Sequence, residues 1–178
     1  ERLCEFGAFL VQRCFLVAVS TPSQQSAFRV FSVLNSRGLD LLPTDIIKSD
    51  IIGNIKSPDK QDDVTERWEE LEVQTGRDGF AELFGHIRMI FAKEKARRTL
   101  LEEFREQVIK KYESPETLMS TVVEPCAEAY LIAKKCQYLS TTNAADANAL
   151  LKWLNRIENS EWLPSAIKFL AMQGKDTA

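Results

Sequence analysis

The chain of 178 residues has a single histidine, His86, and its cysteines are never closer together than ten positions. Structural zinc sites use cysteine and histidine ligands at short spacings, so this composition argues against such a site. It also argues against any mechanism that needs two imidazoles. The four cysteines all lie in apolar stretches, which is typical of buried, reduced thiols in a cytoplasmic protein.

The sequence also lacks a strong charge of either sign and a long apolar run. Its formal net charge is -3, whereas a protein dedicated to coating nucleic acid is usually basic. The longest uninterrupted apolar run, Cys14 to Val19, is far too short to span a bilayer, and no signal peptide pattern is visible. We therefore expect a cytoplasmic protein with no membrane contact. Because the chain begins with Glu1 rather than Met, we interpret it as a segment of a longer protein.

Hydrophobic periodicity predicts a mainly α protein, a multi-helix assembly of about nine helices with at most one short strand. The apolar run at 14–19 is followed by a Ser-Thr-Pro-Ser turn and is predicted to be that strand. A single strand leaves backbone groups unpaired. The strand at 14–19 therefore needs a partner, either the preceding part of the longer protein or a second copy in a homodimer.

The remaining pattern consists of helices and short connections. We expect a surface linker at 56–60 and a break at Pro125 in the helix that opens with Ser114 and Pro115. The three tryptophans, Trp68, Trp153 and Trp162, are predicted to anchor the core. Gly76 is predicted to stop the first helix after residue 60. The predicted helices after residue 60 are 62–75, 80–95, 99–112, a stretch from 115 to about 138, 143–157 and 164–172.

The most informative stretch is Ser26 to Ile52. An amphipathic helix is predicted to end at Asn35 to Gly38, because Asn and Gly tolerate the left-handed conformation that ends many helices. Arg37 lies on this connector, where it can donate to the carbonyls that end the helix or to a nearby phosphate or carboxylate. A helix-capping turn and a ligand site both fit these residue types.

A second helix is predicted to follow this connector. Pro43 suits its first turn, and Asp45 is favoured there because a carboxylate stabilises the positive end of a helix. Lys48, one turn further on, could point to the same region as Arg37.

This stretch resembles the GmrSD-type restriction enzymes, whose ParB/sulfiredoxin-like N-terminal domain carries an Asp-Gly-Gln-Gln-Arg motif. The family often opens the second helix with Ser or Thr, where this chain has Leu42. The Asp-Gly-Gln-Gln-Arg motif is absent, and so is an HNH nuclease pattern. The positions that match the family pattern are Phe31, Leu34, Asn35, Arg37, Gly38, Leu41, Asp45, Ile46, Ile47 and Lys48.

The resemblance implies that 1–55 is the C-terminal part of a ParB-like N-terminal domain, a strand plus the Asn-x-Arg-Gly helical hairpin, and that 56–178 is a helical domain. The parent would be a nucleotide-dependent restriction or DNA-modifying protein of phage defence, an NTP-dependent nuclease. Its nucleoside triphosphate and divalent metal would bind outside this chain. The chain itself would be non-catalytic and would couple the nucleotide-hydrolysing domain to the nuclease domain, with the remainder of the parent chain and DNA as partners.

A different class of function is also open, namely a non-enzymatic helical protein-interaction module. An exposed apolar groove on the helices would favour this interpretation, whereas a basic cleft facing the strand end would favour the coupling role. No residue is predicted to be catalytic or to bind a metal ion. The candidate nucleotide- or nucleic-acid-binding residues are Asn35, Arg37, Gly38, Lys48, Arg97 and Arg98.

Three further features have structural alternatives. The run Lys93 to Arg98 carries a net charge of +3 and could contact phosphates, but it also suits a solvated junction between helices. His86 lies within an apolar helix and is predicted to be an ordinary, partly buried histidine. Residues 62–72 hold six acids and one base, which is typical of a solvated helix face rather than a metal site.

Overall fold

The computed structural model of the protein describes residues 2–15, 20 and 42–173. The chain divides into two compact units, 1–41 and 42–178. In the first unit, helix α1 spans Arg2–Arg13 and has no buried residue. Cys14 and Phe15 lie outside any helix or strand, and residues 16–19 lie outside the described residues. The predicted strand at 14–19, and any homodimer through it, therefore stay predictions.

Helices joined by short connections make up the described residues 42–173 of the second unit, which confirms the mainly α prediction. No strand occurs in any described part of the chain. The second unit includes the helix that begins at Pro43, and the predicted division at 55/56 stays a prediction. Its helices are α2 Pro43–Ile52, α3 Pro58–Thr75, α4 Arg77–Ala92, α5 Leu100–Gln107, α6 Pro115–Leu118, α7 Glu124–Lys135, α8 Ala144–Leu154 and α9 Leu163–Gln173, with a 3-10 turn Ile109–Lys111 and a π turn Met119–Val123.

The cysteines differ in their exposure between the two units. Cys126 on α7 is buried and Cys136, just after that helix, is partly buried. Cys4 and Cys14 in the first unit are exposed. The expected burial of all four thiols is therefore wrong for the two N-terminal ones, because an apolar stretch indicates burial only where another element covers it.

Side-chain caps mark the starts of two helices, α5 and α6. Thr99 and Glu102 form a capping box at the start of α5, and the Ser114 hydroxyl accepts the Thr117 N–H at the start of α6. Helix α3 begins at Pro58 rather than near residue 62, so the predicted linker at 56–60 is wrong in its second half. A proline at the first helical position loses no hydrogen bond, which is why the helix can begin there.

Gly76 separates the long helices α3 and α4. Its φ of +74° lies in the left-handed region, where a side chain would be strained, and no residue lies between the two helices besides it. The sequence prediction that α3 stops at Gly76 is confirmed. This single-residue connection lets Trp68 on α3 meet the aromatic residues near the start of α4.

The expected break at Pro125 takes the form of a wide turn. The chain continues from α6 into α7 through the π turn Met119–Val123, which ends two residues before the proline. Proline has no N–H and its ring crowds the carbonyl four residues earlier, so a wider turn at this point relieves both constraints. The path therefore stays helical from Pro115 to Lys135.

Four aromatic rings form the centre of the second unit. Phe84 lies 5.2 Å from Trp68 and 5.0 Å from Phe104 between ring centroids, and Phe80 lies 5.1 Å from both Trp68 and Phe84. All four side chains are at most 1% exposed. The rings come from α3, α4 and α5, so this aromatic cluster joins three helices.

Helix α4 is the central element, because it packs against α2, α3, α5, α7 and α9. Helix α9 packs mainly on α7. Trp68 is a core anchor, and Trp162 is partly buried against the core. The same prediction for Trp153 is wrong, since that side chain is 65% exposed on α8.

Truncating Phe84 to alanine is expected to lower the free energy of unfolding by about 3–5 kcal/mol, because it removes contacts to two neighbouring helices and leaves a cavity. Chemical denaturation followed by circular dichroism measures this change. Val73→Ala on α3 is the control, since Val73 is 83% exposed and should change stability by less than about 0.5 kcal/mol. Equal effects of the two substitutions would contradict the central role of Phe84.

Candidate functional site

Three of the predicted binding residues, Asn35, Arg37 and Gly38, lie outside the described residues. Lys48 lies on α2, where its Nζ is 3.0 Å from Glu69 Oε1 on α3. In the structure, Lys48 therefore forms an ion pair that joins α2 to α3. Its predicted orientation toward Arg37 stays a prediction.

Arg97 and Arg98 lie together on the connector between α4 and α5. Arg97 is 3.1 Å from Glu94, and its side chain is 80% exposed. Arg98 pairs with Glu106 on α5. The two cations are thus partly neutralised by neighbouring carboxylates, and this local charge balance reduces the attraction that a phosphate would feel.

The connector is held in place by a buried ion pair. Arg88 Nη1 lies 3.1 Å from Glu103 Oε2, and both side chains are 8% exposed. The same guanidinium donates to the Glu94 carbonyl at 2.7 Å. Glu103 Oε1 accepts the backbone N–H groups of Arg97 and Arg98 at 2.7 and 2.8 Å. These N–H donors, joined by the charge of Arg88, hold the pKa of Glu103 below its usual range.

A second polar cluster, which the sequence analysis did not identify, links α4 to α7. Glu82 accepts the Tyr130 hydroxyl at 2.7 Å and lies 3.3 Å from both Lys134 Nζ and His86 Nε2. His86 is only 8% exposed, so it is buried more deeply than the partly buried histidine that the sequence predicted. The signal in the sequence was the four-residue spacing of Glu82 with His86 and of Tyr130 with Lys134.

The electrostatics of this cluster follow from burial and from the central carboxylate. Burial alone would raise the pKa of Glu82, but the hydrogen bond from Tyr130 and the charge of Lys134 hold it below the ordinary value. Burial lowers the pKa of His86, and the nearby Glu82 only partly offsets this. Burial and the bond to Glu82 together raise the pKa of Tyr130. The cluster therefore keeps Tyr130 and His86 neutral and Glu82 charged at neutral pH.

The outer surface of α8 carries an apolar row. Leu150 and Trp153 are each 65% exposed, and Ile157, just beyond the helix, is 51% exposed. The Arg156 guanidinium carbon lies 4.6 Å from the centre of the Trp153 ring. Helix α8 has no fully buried residue. We call Leu150, Trp153 and Ile157 the α8 row.

Helix α8 is attached through its inner side. The Asn148 amide donates to the Tyr138 carbonyl at 2.9 Å and accepts the Tyr138 N–H at 2.8 Å. The Asn155 amide donates to the Ala133 carbonyl at 2.9 Å, and Leu151 packs against the core. These contacts fix α8 while the α8 row on the outer side stays exposed to solvent.

An apolar groove of about 540 Å³ lies between α7, the segment 137–141 and the end of α9. On its rim, Leu139 is 89% exposed. Two outer residues of α9, Phe169 and Met172, are also more than half exposed. Apolar residues that line the groove include Ala129, Ile132, Tyr138, Leu139, Leu170 and Ala171.

Within the described ranges, no group of three or more His, Cys, Asp or Glu side chains could hold a metal ion. None of the described helices combines the length and apolarity needed to cross a bilayer. No protein-family model, curated protein or solved structure matches the chain. Function is therefore inferred from the residues and their geometry.

Acidification is expected to lower the stability of the protein between pH 7 and 5 through His86, the only histidine in the chain. The folded state disfavours protonation because burial lowers the pKa of His86 below 6.5, so the unfolded state binds the proton first. The free energy of unfolding should fall with decreasing pH, by at most about 1.4 kcal/mol per pH unit for this one proton. Denaturation curves across this range measure the slope.

The His86→Gln variant should have a smaller slope than the native chain between pH 7 and 5, because glutamine does not titrate. Below that range both proteins should lose stability together, since Glu82 is held charged in the folded state and must be protonated. An unchanged slope in His86→Gln would contradict the assignment.

Proposed function

We propose that the chain is a non-enzymatic helical module that acts by contact with another protein surface. The observation that carries this proposal is the α8 row, three large apolar side chains that are each at least half exposed. Exposed apolar side chains that form a continuous surface are typical of protein interaction sites. The groove between α7 and α9 is a second apolar surface of the kind that favours the interaction-module interpretation.

The polar features of the described residues support a structural role for them. Glu82 is contacted by three partners from its own cluster, and Glu103 is contacted by Arg88 and two backbone N–H groups. Because both carboxylates are already satisfied, neither is poised to accept a proton from a substrate. Both clusters instead hold helices or a connector in place.

A finer proposal places this module in a nucleotide-dependent restriction or DNA-modifying defence protein of the GmrSD type. The sequence pattern from Phe31 to Lys48 supports it, and α2 adds a consistent detail. Asp45 Oδ2 accepts the Leu42 N–H at 2.8 Å at the start of the helix, and Ile46 and Ile47 are buried. The family's Asp-hydrophobic-hydrophobic-Lys order therefore matches a helix start followed by a core-facing pair.

In that setting the chain would couple a nucleotide-hydrolysing domain to a nuclease domain. The nucleotide and divalent metal would bind in the other parts of the protein, and Arg97 and Arg98 would be the candidates for DNA contact. Their ion pairs with Glu94 and Glu106 mean that a phosphate would have to compete with these carboxylates. We therefore place the contact function on the α8 row first.

Photocrosslinking should locate the contact surface. A benzoyl-phenylalanine replacing Ala149, which is exposed and lies next to Leu150, is expected to crosslink to a protein in the cells that make this chain. The same group at Glu70, on the exposed acidic side of α3, is the control and should give no specific product. Mass spectrometry of the products identifies what lies against the row.

Adding Leu150→Ser and Trp153→Ser should abolish the product at position 149 without lowering the melting temperature by more than a few degrees, because both side chains are 65% exposed. Products that persist in this variant, or that form equally from position 70, would contradict a contact through the α8 row.

The GmrSD proposal has its own test in the gene. Reading the codons upstream of Glu1 is expected to reveal an Asp-Gly-Gln-Gln-Arg motif in the same reading frame, since the family carries that motif before the region matched here. Its absence would overturn the family proposal and leave the interaction module unaffected.

A further inference from the structure

The α8 row continues a regular spacing that begins with an acid. Asp146, Leu150, Trp153 and Ile157 follow one another at intervals of four, three and four residues. Alternating steps of four and three keep side chains on one side of a helix, and they are the spacing with which two helices pack along a shared seam. Helix α8 therefore presents a seam for a second helix on its outer side, although Ile157 lies just beyond its last residue, Leu154.

The charges at the two ends of this seam are opposite. Asp146 lies in the first turn of α8, and Arg156 lies two residues beyond its end. If two copies of α8 pack antiparallel about an axis between Leu150 and Trp153, each Asp146 comes beside the Arg156 of the other copy. A parallel pair would bring like charges together at both ends. The pattern is thus complementary to itself in one orientation, as a two-fold symmetric contact requires.

We propose that the partner of the α8 row is a second copy of this chain, bound antiparallel through Leu150, Trp153 and Ile157. This inference rests on the proposed function, which requires only that the row contacts some protein surface. The contact is free to form because Asn148, Leu151 and Asn155 attach α8 from its inner side. A seam of about three helical turns is shorter than the interface of a permanent dimer, so the association is weak and reversible.

Charge reversal tests both the contact and its orientation. Sedimentation velocity of the chain from micromolar to millimolar concentrations should show reversible dimer formation. Asp146→Arg and Arg156→Asp should each weaken it roughly tenfold, because each places like charges at both ends of the seam. The double variant should regain the association of the native chain, and so should an equimolar mixture of the two single variants.

The variant Glu70→Arg is the matched control, since it makes the same change of charge on the exposed side of α3 and should leave association unchanged. Circular dichroism confirms that every variant is folded. A chain that stays monomeric at every concentration overturns the self-pairing, and so does association that neither charge reversal weakens. Crosslinks from position 149 to a different protein would then leave the interaction module standing, whereas their absence would remove both proposals.

Discussion

The packing of Phe84 is the contact on which the second unit depends. This side chain meets rings from α3 and α5, and it lies on the helix that touches most of the others. Glu82 and His86 lie two residues on either side of it, and a two-residue step turns about 200° around a helix. The two polar residues therefore face away from Phe84, toward α7. One helix thus presents an aromatic side to α3 and α5 and a polar side to α7.

Two carboxylates, Glu82 on α4 and Glu103 on α5, perform related tasks beside α4. Glu82 gathers donors from α4 and α7, and Glu103 joins the buried Arg88 to the connector after α4. A carboxylate that is withdrawn from water is stable only when several donors compensate for its lost hydration. Each cluster therefore requires its helices to meet in one arrangement. The connector is part of the Glu103 cluster through its backbone, because the N–H groups of Arg97 and Arg98 donate to that carboxylate.

The helical class, the Gly76 stop and the inward position of Trp68 were predictable from sequence, because they depend on local capping and on periodicity. The exposure of Trp153 was not, since periodicity shows that a helix has an apolar side but not whether another element covers it. The Glu82 cluster was also missed. Its two halves are i,i+4 pairs on separate helices, and only the tertiary fold brings Tyr130 to Glu82. The partners of Arg98 and Lys48 depend on such long-range contacts as well.

The wide turn before Pro125 sets the rotational phase of everything that follows it in the same helical path. A π turn holds one residue more than an α turn, so it rotates the downstream side chains by about 100° relative to an uninterrupted α-helix. Tyr130 and Lys134, which contact Glu82, both lie downstream of this turn, so the directions of their side chains include this rotation. The wide turn before Pro125 therefore contributes, from outside the Glu82 cluster, to which side of α7 presents the Tyr130 hydroxyl and the Lys134 ammonium to α4.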